Sequence, residues 1–273
     1  MIDLGGSWAH NEPCELDLET IERAYGKDPL YEKQVEEPAL GNFNLKSPKE
    51  FFTSKSQVDW LVDNLLYRGG VSVIVGAPKS GKSTLTRQMA LSVCRGEKFL
   101  GRGVKKGKVL YLALEEQEQM LQGQFRRIGL NENDDIMIHV GSIFTEDRDE
   151  RLKEIVNETQ PDLVVIDTLF LFADADQNNY NEVNVKLQKY RDIARASNCH
   201  IIFVHHQNKG DDKGTRSISG SQAIHGGVDC ALILNRDRKE RSIMSSQRGG
   251  IELDHICIYN EEKDTYSLGE RNF

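Results

Sequence analysis

Val71-Ser72-Val73-Ile74-Val75-Gly76-Ala77-Pro78-Lys79-Ser80-Gly81-Lys82-Ser83-Thr84 joins an apolar, β-branched run to a glycine-rich turn and then to a stretch with helical periodicity. Gly76 to Ser83 has the spacing GxxxxGK[ST], and strand before with helix after is the context in which that spacing binds phosphate. Glycines allow backbone angles that aim successive N–H groups at phosphate oxygens, and a helix N-terminus adds its dipole. Gly76, Ala77, Pro78, Lys79, Ser80, Gly81, Lys82, Ser83 and Thr84 are therefore the expected nucleotide-binding residues. Lys82 is expected to meet the β- and γ-phosphates, and Ser83 to ligate Mg²⁺, which makes ATP and Mg²⁺ the implied substrate and cofactor.

Working outward, continuous apolar runs at Val71–Val75, Lys108–Ala113, Leu163–Ile166 and His200–Val204 read as buried strands. Helical patterns at 82–95, 116–128, 147–158 and 180–197 lie between them. That alternation predicts an α/β fold with a mainly parallel sheet flanked by helices on both faces. After Asp229 the pattern changes to closely spaced strands at Ala231–Leu234, Ser242–Ser246, His255–Tyr259 and Thr265–Leu268, expected to form an antiparallel extension of the same sheet. Residues 58–273 read as one ATPase domain. Residues 1–57 read as an arm with a short helix near Asp17–Tyr25.

Two acidic positions fall where a nucleotide site needs them. Asp167 closes the run Pro161-Asp162-Leu163-Val164-Val165-Ile166 and would hold the Mg²⁺ shell together with Ser83. Glu115 and Glu116 end the run Val109-Leu110-Tyr111-Leu112-Ala113-Leu114, at the strand end where ligands gather in open α/β sheets. A carboxylate there can accept a proton from attacking water.

Charge and cysteine usage narrow the class further. Residues 1–40 hold ten acids against three bases, so almost all of the net charge of −8 lies in the arm. The remaining body is nearly neutral, which leaves room for a local nucleic-acid-binding surface. The five cysteines are scattered without a CxxC pair, which speaks against a disulfide framework or zinc ribbon and for a reducing, cytoplasmic setting. No run is long and apolar enough to span a membrane.

Together these motifs resemble the RecA-like P-loop ATPases, and more closely the DnaB-type and small plasmid RepA-type hexameric helicases, over about residues 58–270. The resemblance makes Glu115, rather than Glu116, the catalytic base. It places His206 as the γ-phosphate sensor, with Gln207 in reserve. Arg216-Ser217-Ile218-Ser219-Gly220-Ser221 followed by Asp229 is similar to the R-x-S-G-S…D signature of these helicases, and the loop 207–220 to their DNA-contacting loop, with Lys209, Lys213 and Arg216 as its bases. Ser246-Gln247-Arg248 lies where DnaB-type proteins carry K-x-R, so Arg248 matches a finger reaching the neighbouring subunit, while the lysine is replaced by Ser246. Arg236, Arg238 and Arg241 are nearby alternatives.

The resemblance thus implies a ring, hexameric in this family, that moves on single-stranded DNA as a replicative-type helicase of a plasmid or other mobile element. The acidic arm could engage a protein partner. A second class remains open: a non-motor ATPase whose ATP-dependent assembly serves a partner in recombination, repair or defence. A small-molecule kinase is disfavoured, because the arginines at 236–241 are expected beyond the sheet's switch to antiparallel pairing.

Overall fold

The computed structural model describes residues 45–53, 57–143, 147–176, 179–206, 222–237 and 240–271. The chain divides into two units, Met1–Ser56 and Gln57–Phe273. In the first, helix α1 (Pro48–Thr53) begins with a capping box. The Ser47 hydroxyl accepts the Glu50 N–H at 3.3 Å, and the Glu50 carboxylate accepts the Ser47 N–H at 2.8 Å. The helix expected near Asp17–Tyr25 lies outside the described residues.

The second unit is built on a nine-stranded sheet of order β11-β10-β9-β8-β3-β7-β6-β4-β5. Its central strands are β3 (Val71–Gly76), β7 (His200–His206), β6 (Leu163–Asp167) and β4 (Val109–Ala113), all parallel. Side chains alternate across them as the pleat requires. Val71, Val73, Val75, Leu110, Leu112, Ile201 and Phe203 enter one core, and Ile74, Val109, Tyr111, Val165 and Ile202 enter the other.

Helices α2 (Lys82–Arg95) and α3 (Glu118–Arg127) cover one face through Leu85, Met89, Leu121 and Phe125. The other face is covered by α4 (Arg148–Thr159), α5 (Leu169–Ala173), α6 (Tyr180–Ala196) and α7 (Gln222–Gly227). A sheet closed on both sides is why the central strands carry unbroken apolar runs.

Two elements differ from the sequence expectation. The switch to antiparallel pairing comes one strand later than expected. β8 (Cys230–Asp237) pairs parallel with β3, and only β9 (Glu240–Gln247), β10 (Asp254–Asn260) and β11 (Thr265–Arg271) extend the sheet antiparallel. The physical reason lies in its burial. Cys230–Leu234 is covered on both faces like the other parallel strands, and helix α7 precedes it as the crossover.

The strand β5 (Ile136–Val140), at the edge beside β4, was not expected from the pattern. It is only partly buried, so its apolar run is short and mixed. A small antiparallel pair, β1 (Trp60–Val62) and β2 (Leu66–Tyr67), buries Leu61, Val62, Leu65 and Leu66 in the α2-side core.

Cys94, Cys199, Cys230 and Cys257 are free and buried, which suits small apolar packing groups. No described helix is long and apolar enough to cross a membrane.

Asp229, the acid of the R-x-S-G-S…D signature, has a structural task. Its carboxylate accepts the Val71 N–H at 2.9 Å, its own N–H donates to the Val71 carbonyl at 2.7 Å, and its carbonyl accepts the Arg248 N–H at 3.0 Å. It therefore joins the beginnings of β3 and β8 to the end of β9. Asp229→Ala should cost about 1–3 kcal/mol, the penalty of leaving a buried N–H unpaired, measured by urea unfolding. Nucleotide affinity should hardly change, because the phosphate loop sits at the opposite end of β3.

Candidate nucleotide-hydrolysis site

The parallel register brings the strand ends to one level. Gly76 at the end of β3 pairs with His206 at the end of β7, and Asp167 at the end of β6 pairs with Ala113 at the end of β4. Glu115 follows two residues beyond Ala113. The loop 76–83, Asp167, Glu115 and His206 thus occupy the same rim, the place where open α/β sheets bind ligands.

The loop has the backbone its motif needs. Gly81 adopts φ +104°, and a Cβ there would collide with the Tyr266 hydroxyl; at Gly76 a Cβ would strike the Leu234 carbonyl. Lys79 is also left-handed, at φ +62°. Helix α2 then begins at Lys82, so its free N–H groups open toward the loop.

The Lys82 ammonium is buried and donates to the Gly76 and Ala77 carbonyls, each at 2.9 Å. Burial pulls it down to about 8, against the opposing carboxylates of Asp167 and Glu115. A desolvated cation of this kind gains most from an anion placed in the loop. The buried Ser80 hydroxyl has no partner, which a phosphate oxygen would supply.

The two expected Mg²⁺ ligands are brought together. Ser83 stands beside the Asp167 carboxyl, which burial pushes above its usual range against the opposing pull of the Ser83 hydroxyl. A hydroxyl with one carboxylate suits an octahedral ion that keeps most of its waters and takes phosphate oxygens. The donor set therefore fits Mg²⁺. Among the described residues no cluster of three or more His, Cys, Asp or Glu could hold a metal by protein ligands alone.

The adjacent acids Glu115 and Glu116 have different surroundings. Glu115 is half-exposed and accepts from the Thr168 hydroxyl at 3.2 Å, with its other oxygen 3.2 Å from His206 Nε2. Glu116 turns inward to Arg87, at 3.3 Å, and burial raises its pKa while Arg87 opposes the shift. The acid facing the rim is thus Glu115, and Glu116 belongs to a buried pair. His205 points the other way from His206, packed edge-on against Phe170, and burial lowers it to about 4.

The remaining expected residues lie elsewhere. Arg248 donates to the Gly226 carbonyl at 2.6 Å, next to the Gln247–Cys230 pair that opens β8. Cys230 pairs with Ser72, so Arg248 sits at the start of the sheet's parallel strands, away from its own phosphate loop. Gln207, Lys209, Lys213, Arg216 and Arg238 lie outside the described residues.

Because β8 runs parallel to β3, the arginines expected beyond the site are at it. Arg236 donates to the Lys79 carbonyl at 3.0 Å, and the Arg241 guanidinium lies 4.4 Å from the centre of the Tyr259 ring. A cavity of about 360 Å³ opens beside the loop, walled by Glu116, Gln124, Arg241, Tyr259 and Tyr266. None of the last four was anticipated at the site from sequence, apart from Arg241 as a finger alternative. The cross-strand pairing of Tyr259 with Tyr266, around the turn after Asn260, was the only signal that could have joined two of them.

The chain is 25% identical over 206 residues to the DNA repair protein RadA of Escherichia coli K12, covering 74% of this chain and 40% of that protein. Against the DNA repair protein RadA of Haemophilus influenzae it is 24% identical over 217 residues, covering 77% and 42%. The chain therefore spans about two fifths of these relatives. Its fold is that of a KaiC-like protein from Pyrococcus horikoshii OT3, with a TM-score of 0.56 at 13% identity over 77% of this chain and 94% of that one. Residues 39–212, well over half of the sequence, match the AAA domain family, and the chain belongs to it.

Proposed function

We propose that the chain is an ATP-hydrolysing, DNA-directed ATPase that assembles with copies of itself on single-stranded DNA and serves repair or recombination. The observation that carries this reading is the convergence of Lys82, Ser83, Asp167, Glu115 and His206 on one rim, with His206 the last described residue before the segment that resembles a DNA-contacting loop. The DNA repair proteins matched at 25% identity support the setting.

In this reading the loop N–H groups and Lys82 hold the phosphates, while Ser83, and Asp167 through water, would hold Mg²⁺, whose charge would offset that of the phosphates. Glu115 accepts the proton of the attacking water, and Thr168 and His206 fix its two oxygens so that little reorganisation is left for the reaction. Lys209, Lys213 and Arg216 supply the cationic contacts to the DNA backbone.

The ring-shaped motor of replicative-helicase type is the finer reading, and one observation favours its assembly. Arg248 stands at the far end of the sheet from its own loop, so a neighbouring subunit is the nucleotide site open to it. The acidic arm is proposed as a docking segment for a neighbour or a protein partner.

Lys82→Ala should abolish tight nucleotide binding, whereas Glu115→Gln should keep it and lower turnover by at least about a hundredfold, the usual contribution of a general base. Glu116→Gln should retain most of the turnover. The comparison needs steady-state hydrolysis together with nucleotide affinity. Near-normal turnover in Glu115→Gln with a dead Glu116→Gln would reverse the assignment.

Single-stranded DNA should stimulate hydrolysis, and the effect should fade with salt as backbone contacts are screened. Arg248→Ala should bind ATP and hydrolyse it slowly. Mixed with Lys82→Ala subunits it should recover activity at intermediate ratios, since each chain repairs the other's defect across an interface. Co-assembled mixtures that stay inactive at every ratio would remove Arg248 from the site.

A further inference from the structure

The large sheet has two edges, and they are treated differently. At β11 the Gln88 amide covers the Tyr266 backbone, donating to its carbonyl at 2.9 Å and accepting its N–H at 2.7 Å. The other edge, β5, reads Ile136-Met137-Ile138-His139-Val140, with no proline, acid or lysine to blunt it. Val109 donates to the Asp135 carbonyl at 3.0 Å and Gly141 to the Ala113 carbonyl at 2.9 Å, which fixes the phase of the ladder. Ile136, Ile138 and Val140 therefore turn their backbone groups away from β4. The Ile136 N–H is taken by the Asp134 carbonyl at 2.9 Å, and the remaining groups meet no partner among the described residues.

Both faces of this edge are hollow. On one side a cavity of about 400 Å³ is walled by Leu121, Phe125, Ile138 and Val140, with Glu118 and Arg126 of α3 at its ends. On the other a cavity of about 360 Å³ is walled by His139, Leu152 and Ile155, with Arg151 and Glu158 of α4 on its rim. Ile138 and Ile155 are exposed, at 38% and 36%. Successive side chains of a strand point to opposite faces, so a strand added at β5 would fill the two hollows alternately.

The flanking helices specify what is added. α3 carries Glu118, Gln122 and Arg126 four residues apart, along one face, with acid at its start and base at its end. α4 has the opposite order, with Arg151 before Ile155 and Glu158 after it. A second copy running in the reverse direction would set Glu118 against Arg126, Arg151 against Glu158, and Gln122 and Ile155 each against itself. Such a charge pattern is complementary to its own reverse.

We infer that β5 is a two-fold contact, at which a second copy of this chain pairs its own β5 antiparallel and the two sheets run on as one. With Ile138 opposite Ile138, each Ile138 N–H donates to the other's carbonyl, and each Val140 N–H to the other's Ile136 carbonyl. The pairing stops there, because the Ile136 N–H is already engaged. This contact is isologous and closes at two copies, unlike the head-to-tail contact that Arg248 would make. It does not depend on nucleotide.

The test is sedimentation equilibrium of the full-length chain without nucleotide, which keeps its outcome separate from that of any ATP-dependent assembly. A reversible dimer is expected. Ile138→Pro removes the central donor at a position where an edge strand accepts proline, and should abolish the dimer. Glu118→Lys or Arg126→Glu alone opposes like charges twice across the axis and should weaken the dimer about tenfold. The double variant should restore it, which a folding defect would not allow. Ile138→Cys should form a disulfide-linked dimer on mild oxidation, beyond any formed by the unsubstituted chain, since the two-fold brings this residue beside itself.

A chain that stays monomeric without nucleotide overturns the inference, and so does a dimer indifferent to both charge reversals. Loss of the dimer on deleting residues 1–44 also overturns it, by giving the contact to the arm.

Discussion

The alignment of four parallel strand ends is the constraint on which the site depends. Gly76 lies level with His206 and Ala113 with Asp167, because parallel ladders allow neighbouring strands only certain registers and the two cores settle which one is used. A slip of one residue would turn every buried side chain to the opposite face. It would also carry Asp167 away from Ser83, and Glu115 away from His206. The chemistry is held in place by the same packing that holds the domain together.

Within that frame, Arg87 ties three elements together. It is buried on the helix that begins at the phosphate loop, and it reaches Thr84, Glu116 and Asp264. These belong to the loop's own helix, the end of β4 and the β10–β11 hairpin. A guanidinium with carboxylates on two sides resists displacement, since each partner offsets part of its buried charge. Burial of this network explains why the adjacent acids diverge. Glu116 is drawn inward as a structural charge, and Glu115 stays at the rim with Thr168 and His206.

Arg248 and Arg236 show how strand direction distributes arginines. β9 runs back from the phosphate side, so its far end carries Arg248 to the start of the parallel strands, away from the loop. β8 runs toward the phosphate side and delivers Arg236 to the Lys79 carbonyl. The same pairing places Arg241 across from Arg236, above the two tyrosines. One hairpin therefore supplies a wall to the cavity beside the phosphate loop and, at its other end, an arginine directed away from it.

From sequence alone came the phosphate loop, the four central strands with their helices, and the acids at Asp167 and Glu115. Each is a local pattern: glycine spacing, an unbroken apolar run for a strand buried on both faces, and a carboxylate just past its end. Strand β5 escaped because an edge strand is half-solvated and its apolar signal is diluted. The parallel pairing of β8, the burial of Glu116 against Arg87, and the cavity wall of Gln124, Arg241, Tyr259 and Tyr266 were decided only by the tertiary structure. They depend on which strands lie side by side and on which way each runs, and that is settled by contacts between residues far apart in the chain, to which local periodicity is blind.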